Sequence, residues 1–345
     1  MTSAQRPLSL LDLAKVTDEE TIGEGIARSL RLAQTADSRG YTRIWFAEHH
    51  NMPHVASSAT SLLIQHIAAN TRSVRVGAGG IMLPNHSPLV IAEQFGTLAE
   101  LYPDRIDLGL GRAPGTDGAT MHALRRDGTE SDRFSSDVVE LSGYLTGRSR
   151  VKGVNAYPGW RTDVPLWILG SSLYGAQLAA QLGLPYAFAS HFAPQMLDQA
   201  AQTYRQNFDA AHSLAGPGAE PHFMAAANVI AADTEQEAAD QLRAAQNGWI
   251  KAMLGRNREL TAQDVEALRD HPAGQQVLGM LKETAAGTRD DVVAWLDAFG
   301  DRVEADELML VNLAPEEDAQ HRTLDLLAPS EPAPDQPETP AYSVA

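Results

Sequence analysis

Residues 74–88 read Val-Arg-Val-Gly-Ala-Gly-Gly-Ile-Met-Leu-Pro-Asn-His-Ser-Pro, and the stretch begins as a strand because Val74 and Val76 alternate with an arginine. Two adjacent glycines, Gly79 and Gly80, then stand where a buried strand would carry branched side chains. Glycine inside a strand pattern indicates a bulge, or a place where a ligand or another backbone comes close. Two interpretations are open: a flat cofactor lies against this bare backbone, or a neighbouring side chain fills a tight bend.

Outward from this third strand, the hydrophobic pattern predicts eight strands, each followed by helical sequence. Eight such units are the count of a (β/α)8 TIM barrel, whose usual length of about 250 residues is extended here by insertions. The rival is a doubly wound sheet with a second domain, but the glycines of this chain do not form the G-x-G-x-x-G fingerprint of nicotinamide-binding domains. The predicted strands are 7–13, 43–47, 74–83, 105–110, 165–169, 185–189, 223–231 and 307–311.

The chain shows no internal repeat and no linker within residues 1–328, which predicts a single barrel domain. A stretch at about 255–287 is predicted to be a partly helical insertion before the eighth strand. Residues 329–345 are rich in Pro, Glu and Ser without periodicity, a composition typical of a disordered tail.

The composition excludes several classes of protein. The net charge of −17 opposes binding to nucleic acid, which needs a basic face. No apolar run approaches the roughly 18 residues of a membrane span, and no signal peptide begins the chain. The absence of cysteine excludes disulfides, thiolate metal sites and cysteine nucleophiles. Together these features predict a cytoplasmic protein.

Unusual residues stand toward the carboxyl ends of five of the predicted strands, where barrel enzymes carry their chemistry. The turn of Gly170, Ser171 and Ser172 lies between a strand and a helix and would suit a phosphate, with Arg112 balancing its charge. A plain N-cap serine and a surface ion pair are the alternatives. The five groups are 48–50, 79–80, 111–112, 170–172 and 190–192.

Histidines cluster after the second strand. His50 and His54 have the i, i+4 spacing of a metal site, but Pro53 intervenes and no H-E-x-x-H pattern is present. We therefore predict no metal, and a neutral histidine that donates or accepts a proton near a cofactor is favoured. Hydrogen-bonded structural histidines are the alternative for His50 and His54.

With these motifs assembled, the chain resembles the bacterial luciferase-like flavin monooxygenases, and within them the single-chain alkanal-monooxygenase-like subgroup. The resemblance spans about residues 7–328. It is carried by Trp-Phe-Ala-Glu-His-His-Asn at 45–51, Val-Gly-Ala-Gly-Gly-Ile-Met-Leu-Pro at 76–84 and Arg-Ile-Asp-Leu-Gly-Leu-Gly-Arg-Ala-Pro-Gly-Thr-Asp at 105–117.

The resemblance implies a barrel that binds FMN at the carboxyl ends of its strands. By position, a non-proline cis peptide that props the flavin ring would be Gly79-Gly80, and the histidine that acts near the reactive flavin carbon would be His49. The phosphate would contact Arg112, Ser171 and Ser172. Differences from the family pattern stand at positions 87, 111, 170 and 174, where this chain has Ser, Gly, Gly and Tyr.

The implied function is a two-component monooxygenase that uses FMNH2 and O2 to oxidise a small organic substrate, either aldehyde-like or a secondary metabolite. A separate flavin reductase and a homodimer are the implied partners. A reductase or dehydrogenase of the same fold that uses F420 is the first alternative, and a non-catalytic flavin-binding subunit is the second. Because luciferase keeps a cysteine where this chain has Gly111, bright light emission is not implied.

Overall fold

Eight parallel strands close into a barrel in the computed structural model, which describes residues 6–113, 115–255 and 260–329. Within those ranges nine strands pair in parallel, and eight of them close the ring. They are β1 (Leu8–Asp12), β2 (Arg43–Phe46), β3 (Arg75–Met82), β4 (Ile106–Gly111), β5 (Leu166–Gly170), β6 (Tyr186–Phe188), β7 (Phe223–Ala231), β8 (Thr284–Gly287) and β9 (Glu307–Asn312).

The ring follows the order of the chain from β1 to β7, and β9 then closes it between β7 and β1. The prediction of a (β/α)8 barrel is confirmed. β8 lies outside the closed ring and pairs with the second half of β7 alone, from Asn228 opposite Thr284 to Ala231 opposite Gly287.

Helices cover the outside of the barrel, since parallel strands need both faces buried. They are α1 (Ile22–Ser38), α2 (Thr60–Ala69), α3 (Pro88–Leu101), α4 (Gly118–Ala123), α5 (Phe134–Leu145), α6 (Leu173–Leu182), α7 (Leu197–Gln206), α8 (Glu235–Leu254), α9 (Ala262–Arg269), α10 (Pro272–Met280), α11 (Arg289–Arg302) and α12 (Glu317–Leu326). No helix in the described ranges is both long enough and apolar enough to cross a membrane.

Several predicted boundaries follow from local chemistry. The capping box of Thr288 and Asp291 starts α11 as predicted, and Gly40 takes the left-handed backbone, with φ 78°, that ends the turn after α1. The predicted helix 194–211 was too long, because α7 ends at Gln206. The loop 111–128 contains the short helix α4.

The amino end of the barrel interior is closed by a buried ionic cluster. Arg43 on β2 donates to Asp107 on β4 and to Glu307 on β9, each at 2.7 Å. Ser9 on β1 also donates to Glu307. Above this layer the rings of Trp45 and Trp167 meet edge to face, 5.2 Å apart between centroids. The interior below the carboxyl rim is therefore packed, as in other barrels of this kind.

The strand β8 was not predicted, although α9 and α10 agree with a partly helical segment at 255–287. The interpretation of residues 1–328 as a single domain stays a prediction. The predicted disordered tail, 329–345, lies outside the described residues except for its first position.

Candidate functional site

The unusual residues of the sequence lie at one end of the barrel, because all the strands run parallel. The strand register places the end of β2 beside β3, β3 beside β4, β4 beside β5 and β5 beside β6. Residues 48–50, 111–112, 170–172 and 190–192 thus lie around the carboxyl rim. We call this arc, from β2 to β6, the rim site. Gly79 and Gly80, which were predicted to end the third strand, lie within β3, which continues to Met82.

Glu48 is the centre of the hydrogen bonds in the rim site, with its side chain 1% exposed. Its Oε1 accepts from Nε2 of His50 at 2.8 Å, Nε2 of His86 at 2.9 Å and Nδ2 of Asn85 at 3.1 Å. Its Oε2 accepts from the backbone N–H of Met82 at 2.9 Å. One carboxylate therefore connects the end of β2 with the segment that follows β3.

Burial on its own would raise the pKa of Glu48, because a carboxylate loses hydration inside the protein. The hydrogen bonds from His86, His50 and Asn85, together with the charge of His86, outweigh burial and hold the pKa of Glu48 below its usual value. Glu48 is therefore an anion at neutral pH. Because an ionised carboxylate only accepts, both histidines present N–H groups to it from Nε2.

His49 lies between these two anchored residues in the sequence and is half-buried. Burial lowers the pKa of His49, while the charge of Glu48 partly opposes this effect. The imidazole is therefore neutral at pH 7. Its Nδ1 is buried and has no hydrogen-bond partner among the described residues. A buried ring nitrogen without a partner is rare in proteins and suits a bound molecule.

Gly79 and Gly80 form a cis peptide bond, as the resemblance implied. A Cβ on Gly79 would lie 2.9 Å from Cδ1 of Leu11 and from Cβ of Trp45, and one on Gly80 would lie 2.5 Å from the carbonyl oxygen of Gly109. Neighbouring atoms thus occupy the space of both side chains, so packing inside the barrel requires glycine here. Gly79 remains half-buried in the rim site, and contact with a flat cofactor stays a prediction.

Arg112 follows β4 and is exposed, with no carboxylate in ion-pair distance among the described residues. Its guanidinium lies over the ring of Tyr174, 4.3 Å from the centroid, in the first turn of α6. Ser171 and Ser172 precede that helix, and the Ser172 side chain makes no capping bond. The predicted phosphate residues therefore lie together, with free N–H groups at the start of a ten-residue helix.

Two of the differences from the family pattern have a structural reason. A Cβ on Gly170 would lie 3.1 Å from the Tyr186 hydroxyl and 3.3 Å from Cα of Gly175, which leaves little room for a long side chain. A Cβ on Gly111 would lie 2.8 Å from the sulfur of Met82. At a third of these positions, the ring of Tyr174 makes the cation–π contact with Arg112.

A second polar group lies at the ends of β6 and β7. His191 is 8% exposed, its Nδ1 has no partner among the described residues, and burial lowers its pKa to about 3, with the charge of Lys15 adding to the effect. Asn228, fully buried on β7, donates to the carbonyl of His191 at 2.7 Å. The sequence marked His191 but not Asn228, whose amide stands within an otherwise apolar strand, 223–231.

The sequence places Asn85 and His86 just beyond the third strand but assigns neither a role, and both bind Glu48. His54 lies away from them, exposed and 3.7 Å from Asp18. Among residues 6–113, 115–255 and 260–329, no group of three or more His, Cys, Asp or Glu side chains could hold a metal ion.

Comparison with known proteins places this geometry in context. Residues 8–303 match the family model described as luciferase-like monooxygenase. A luciferase-like monooxygenase of Escherichia coli K12 is 46% identical over 313 residues, 90% of this chain and 92% of that protein. The N-acetyl-S-alkylcysteine monooxygenase of Bacillus subtilis is 32% identical over 294 residues, 83% of this chain and 86% of that protein.

Solved structures share the fold. The crystal structure of apo-MsnO8 has a TM-score of 0.82 and 34% identity, covering 94% of this chain and 97% of that one. The oxygenating constituent of 3,6-diketocamphane monooxygenase from Pseudomonas putida, in complex with FMN, has a TM-score of 0.71 at 16% identity, covering 95% and 98%. An F420-dependent secondary alcohol dehydrogenase has a TM-score of 0.68 at 14% identity, covering 94% of this chain and 99% of that one.

Proposed function

Because the chain belongs to the luciferase-like monooxygenase family and is an enzyme of the flavin-dependent monooxygenase class, we propose that it uses FMNH2 and O2 to oxidise a small organic substrate. The observation that carries the proposal is the rim site itself. A neutral histidine with an unpartnered nitrogen and an unpaired arginine beside an uncapped helix start lie on one arc of the barrel mouth.

The residues present fit FMN. Arg112 would bind the phosphate through its guanidinium, with the hydroxyls of Ser171 and Ser172 and the first N–H groups of α6 completing the contacts. The backbone at Gly79-Gly80, which is half-buried at Gly79, would face the ring. The unpartnered Nδ1 of His49 would lie toward the reacting part of the flavin.

The bound flavin supplies the activation of oxygen, and the protein supplies binding, orientation and protection from water. His49 is neutral at pH 7 and can therefore accept or donate a proton at Nδ1. Glu48 holds the chain on both sides of this histidine. The rings of Trp45 and Trp167 pack edge to face in the barrel below the site.

We propose that the chain belongs to the single-chain alkanal-monooxygenase-like subgroup. Its proposed substrate is an aldehyde-like molecule or a secondary metabolite. The relative that is named for N-acetyl-S-alkylcysteine adds a thioether to the classes worth testing. An F420-dependent reductase of the same fold is the alternative, favoured by the likeness in fold to an F420-dependent dehydrogenase. Oxygen uptake that depends on FMNH2 would separate the two.

The proposal is tested by titrating the isolated chain with oxidised and reduced FMN while oxygen uptake is followed with an aldehyde and thioether panel. His49→Ala should fold and bind flavin but lose about 100-fold in turnover, the scale of a missing proton-transfer group. His54→Ala, at an exposed histidine outside the hydrogen bonds of Glu48, is the matched control. Unchanged turnover of His49→Ala would remove His49 from the mechanism, and flavin binding without any oxygen uptake would favour a non-catalytic subunit.

A separate flavin reductase would supply FMNH2, and we propose a homodimer formed through α2 and α3 and a cytoplasmic location. Large apolar side chains are exposed on these two helices: Leu62 is 71% exposed, Val90 43% and Leu101 39%. Exposed apolar side chains grouped on one surface are typical of a protein interface.

A further inference from the structure

A groove of about 900 Å³ lies at the end of the barrel opposite the rim site. Pro165 and Pro185, which come directly before β5 and β6, line its floor, so it opens at the amino ends of these strands. Its other walls come from the end of α5, the loops 146–150 and 161–164, and the segment 213–217. The volume falls within the range of about 300–1,000 Å³ that is usual for sites that bind small molecules.

Three arginines line this groove: Arg148, Arg150 and Arg161. None of them has a carboxylate within ion-pair distance in the described part of the chain. Arginines elsewhere commonly do, as Arg31 does with Glu317 at 2.5 Å and Arg302 with Glu283 at 2.8 Å. The net charge of the chain is −17, so the unpaired arginines make the groove a positively charged region on a negatively charged protein.

The walls combine this charge with apolar surface. One carboxylate, that of Asp163, stands among the described lining residues, so the three arginines leave the groove with an excess of positive charge. The guanidinium of Arg161 lies over the ring of Trp160, 4.2 Å from its centroid, which holds it in place. The apolar part of the wall is formed by Leu145, Val164, Leu166, Leu184 and Leu214.

The backbone of the groove is also unusual. Arg161 and Asp163 both take left-handed conformations, with φ of 65° and 50°. Residues other than glycine rarely adopt this region, and such residues cluster at ligand sites because the surrounding structure must hold them there. The two left-handed residues lie in the segment 161–164 that forms one wall of the groove.

We propose that this groove binds a phosphorylated small organic molecule of nucleotide size, with its phosphates on the arginines and its apolar part on the leucine wall. Arginine is the side chain best suited to phosphate, because its planar N–H groups can bind two oxygens at once. Sites that bind small molecules are usually concave, as this groove is, whereas proteins bind each other through broader surfaces. The overall negative charge opposes a nucleic acid, whereas a small anion responds to the local field.

The test uses ADP and inorganic pyrophosphate as probes, with binding followed by calorimetry at low ionic strength on the full chain. We expect ADP to bind the wild type saturably and more tightly than pyrophosphate, since pyrophosphate lacks an apolar part. The double variant Arg148→Gln/Arg150→Gln should weaken ADP binding at least about tenfold, through the loss of two charge-assisted contacts. Turnover with FMNH2 should be unchanged in this variant.

Two controls separate the groove from other effects. Arg243→Gln removes an exposed arginine that is already paired with Glu266, and should leave ADP binding unchanged. Arg112→Gln should weaken FMN binding but not ADP binding. No saturable ADP binding, or a loss of ADP binding in Arg112→Gln instead of the double variant, would overturn the proposal without affecting the proposed function.

Discussion

At the scale of single residues, Glu48 organises the rim site more than the histidine that the sequence marked. It accepts hydrogen bonds from four residues: His50, and Met82, Asn85 and His86, which lie 34 or more positions further along the chain than Glu48. A replacement of Glu48 that turns one of its accepting oxygens into a donor would leave N–H groups facing each other in a buried space. The orientation of the His49–His50 segment depends on these bonds.

Glu48→Gln should therefore reduce kcat at least about tenfold with a much smaller effect on the affinity for FMN, because Arg112 and the start of α6 are untouched. Glu283→Gln is the matched control, since Glu283 is also buried and paired, with Arg302, but lies outside the rim site. Turnover and flavin binding are measured on both proteins. Equal losses of kcat in the two variants would mean that Glu48 supports stability alone.

The lowered pKa of Glu48 adds a dependence on pH. A carboxylate whose folded pKa is depressed stabilises the protein above its unfolded pKa of about 4.3, and this contribution is lost as pH falls through the folded value. At neutral pH, Glu48→Gln should lower the free energy of unfolding by about 2–4 kcal/mol. The gap between wild type and variant should narrow below about pH 4 in urea denaturation.

His191 should also make stability depend on pH, over a wider acidic range than Glu48, since burial lowers its pKa to about 3. Between about pH 6.5 and pH 3 the unfolded chain binds a proton at this histidine that the folded chain does not. The free energy of unfolding therefore decreases as the pH is lowered through this range, by up to about 1.4 kcal/mol per pH unit. His191→Gln removes this dependence. Urea denaturation of both proteins from neutral to acid pH should show parallel curves only if His191 carries a proton in the folded state, which would contradict the structure.

At the scale of elements, most of the barrel could be predicted because its strands are apolar runs bounded by Pro, Gly or a charged residue. The strand β8 could not, because Thr-Ala-Ala-Gly at 284–287 is short and has little preference for a strand. It forms through tertiary contacts, as its backbone meets β7 and its Thr284 hydroxyl accepts from Asn228 at 3.3 Å. The site was predictable where residues follow strands. The hydrogen bonds to Glu48 could not be predicted, because they depend on the distance between the ends of two strands.

The packing of α3 depends on a close approach that the sequence did not indicate. A Cβ on Gly96 would lie 2.6 Å from the backbone nitrogen of Gly159, within the irregular segment 147–163. Gly96→Ala should lower the free energy of unfolding by about 2–3 kcal/mol, because backbone atoms cannot move aside as a side chain can. Gly248→Ala, inside α8 with nothing within 4 Å, should raise it by about 0.5–1 kcal/mol. A higher free energy of unfolding in both variants would show that the segment 147–163 moves to make room for the added methyl group.

At the scale of the whole molecule, the barrel separates two ends with different chemistry. The ionic cluster of Arg43, Asp107 and Glu307 fills the interior at the amino end, and the rim site opens at the other. The groove with the unpaired arginines lies outside the barrel wall at the amino end. Because the two sites lie at opposite ends, we expect a ligand in the groove to leave the chemistry of the rim site unchanged.

The proposed homodimer is the property of the whole molecule that the surface predicts. Leu62, on α2, is 71% exposed, and a charge at this position would have to be buried without a partner if α2 faces a second copy. Leu62→Glu should therefore convert a dimer to a monomer in analytical ultracentrifugation, with the fold retained in circular dichroism. Ile22→Glu is the matched control, because Ile22 is 61% exposed at the start of α1, away from α2 and α3. Dissociation by Ile22→Glu and not by Leu62→Glu would move the interface to α1, and a monomeric wild type would exclude the dimer.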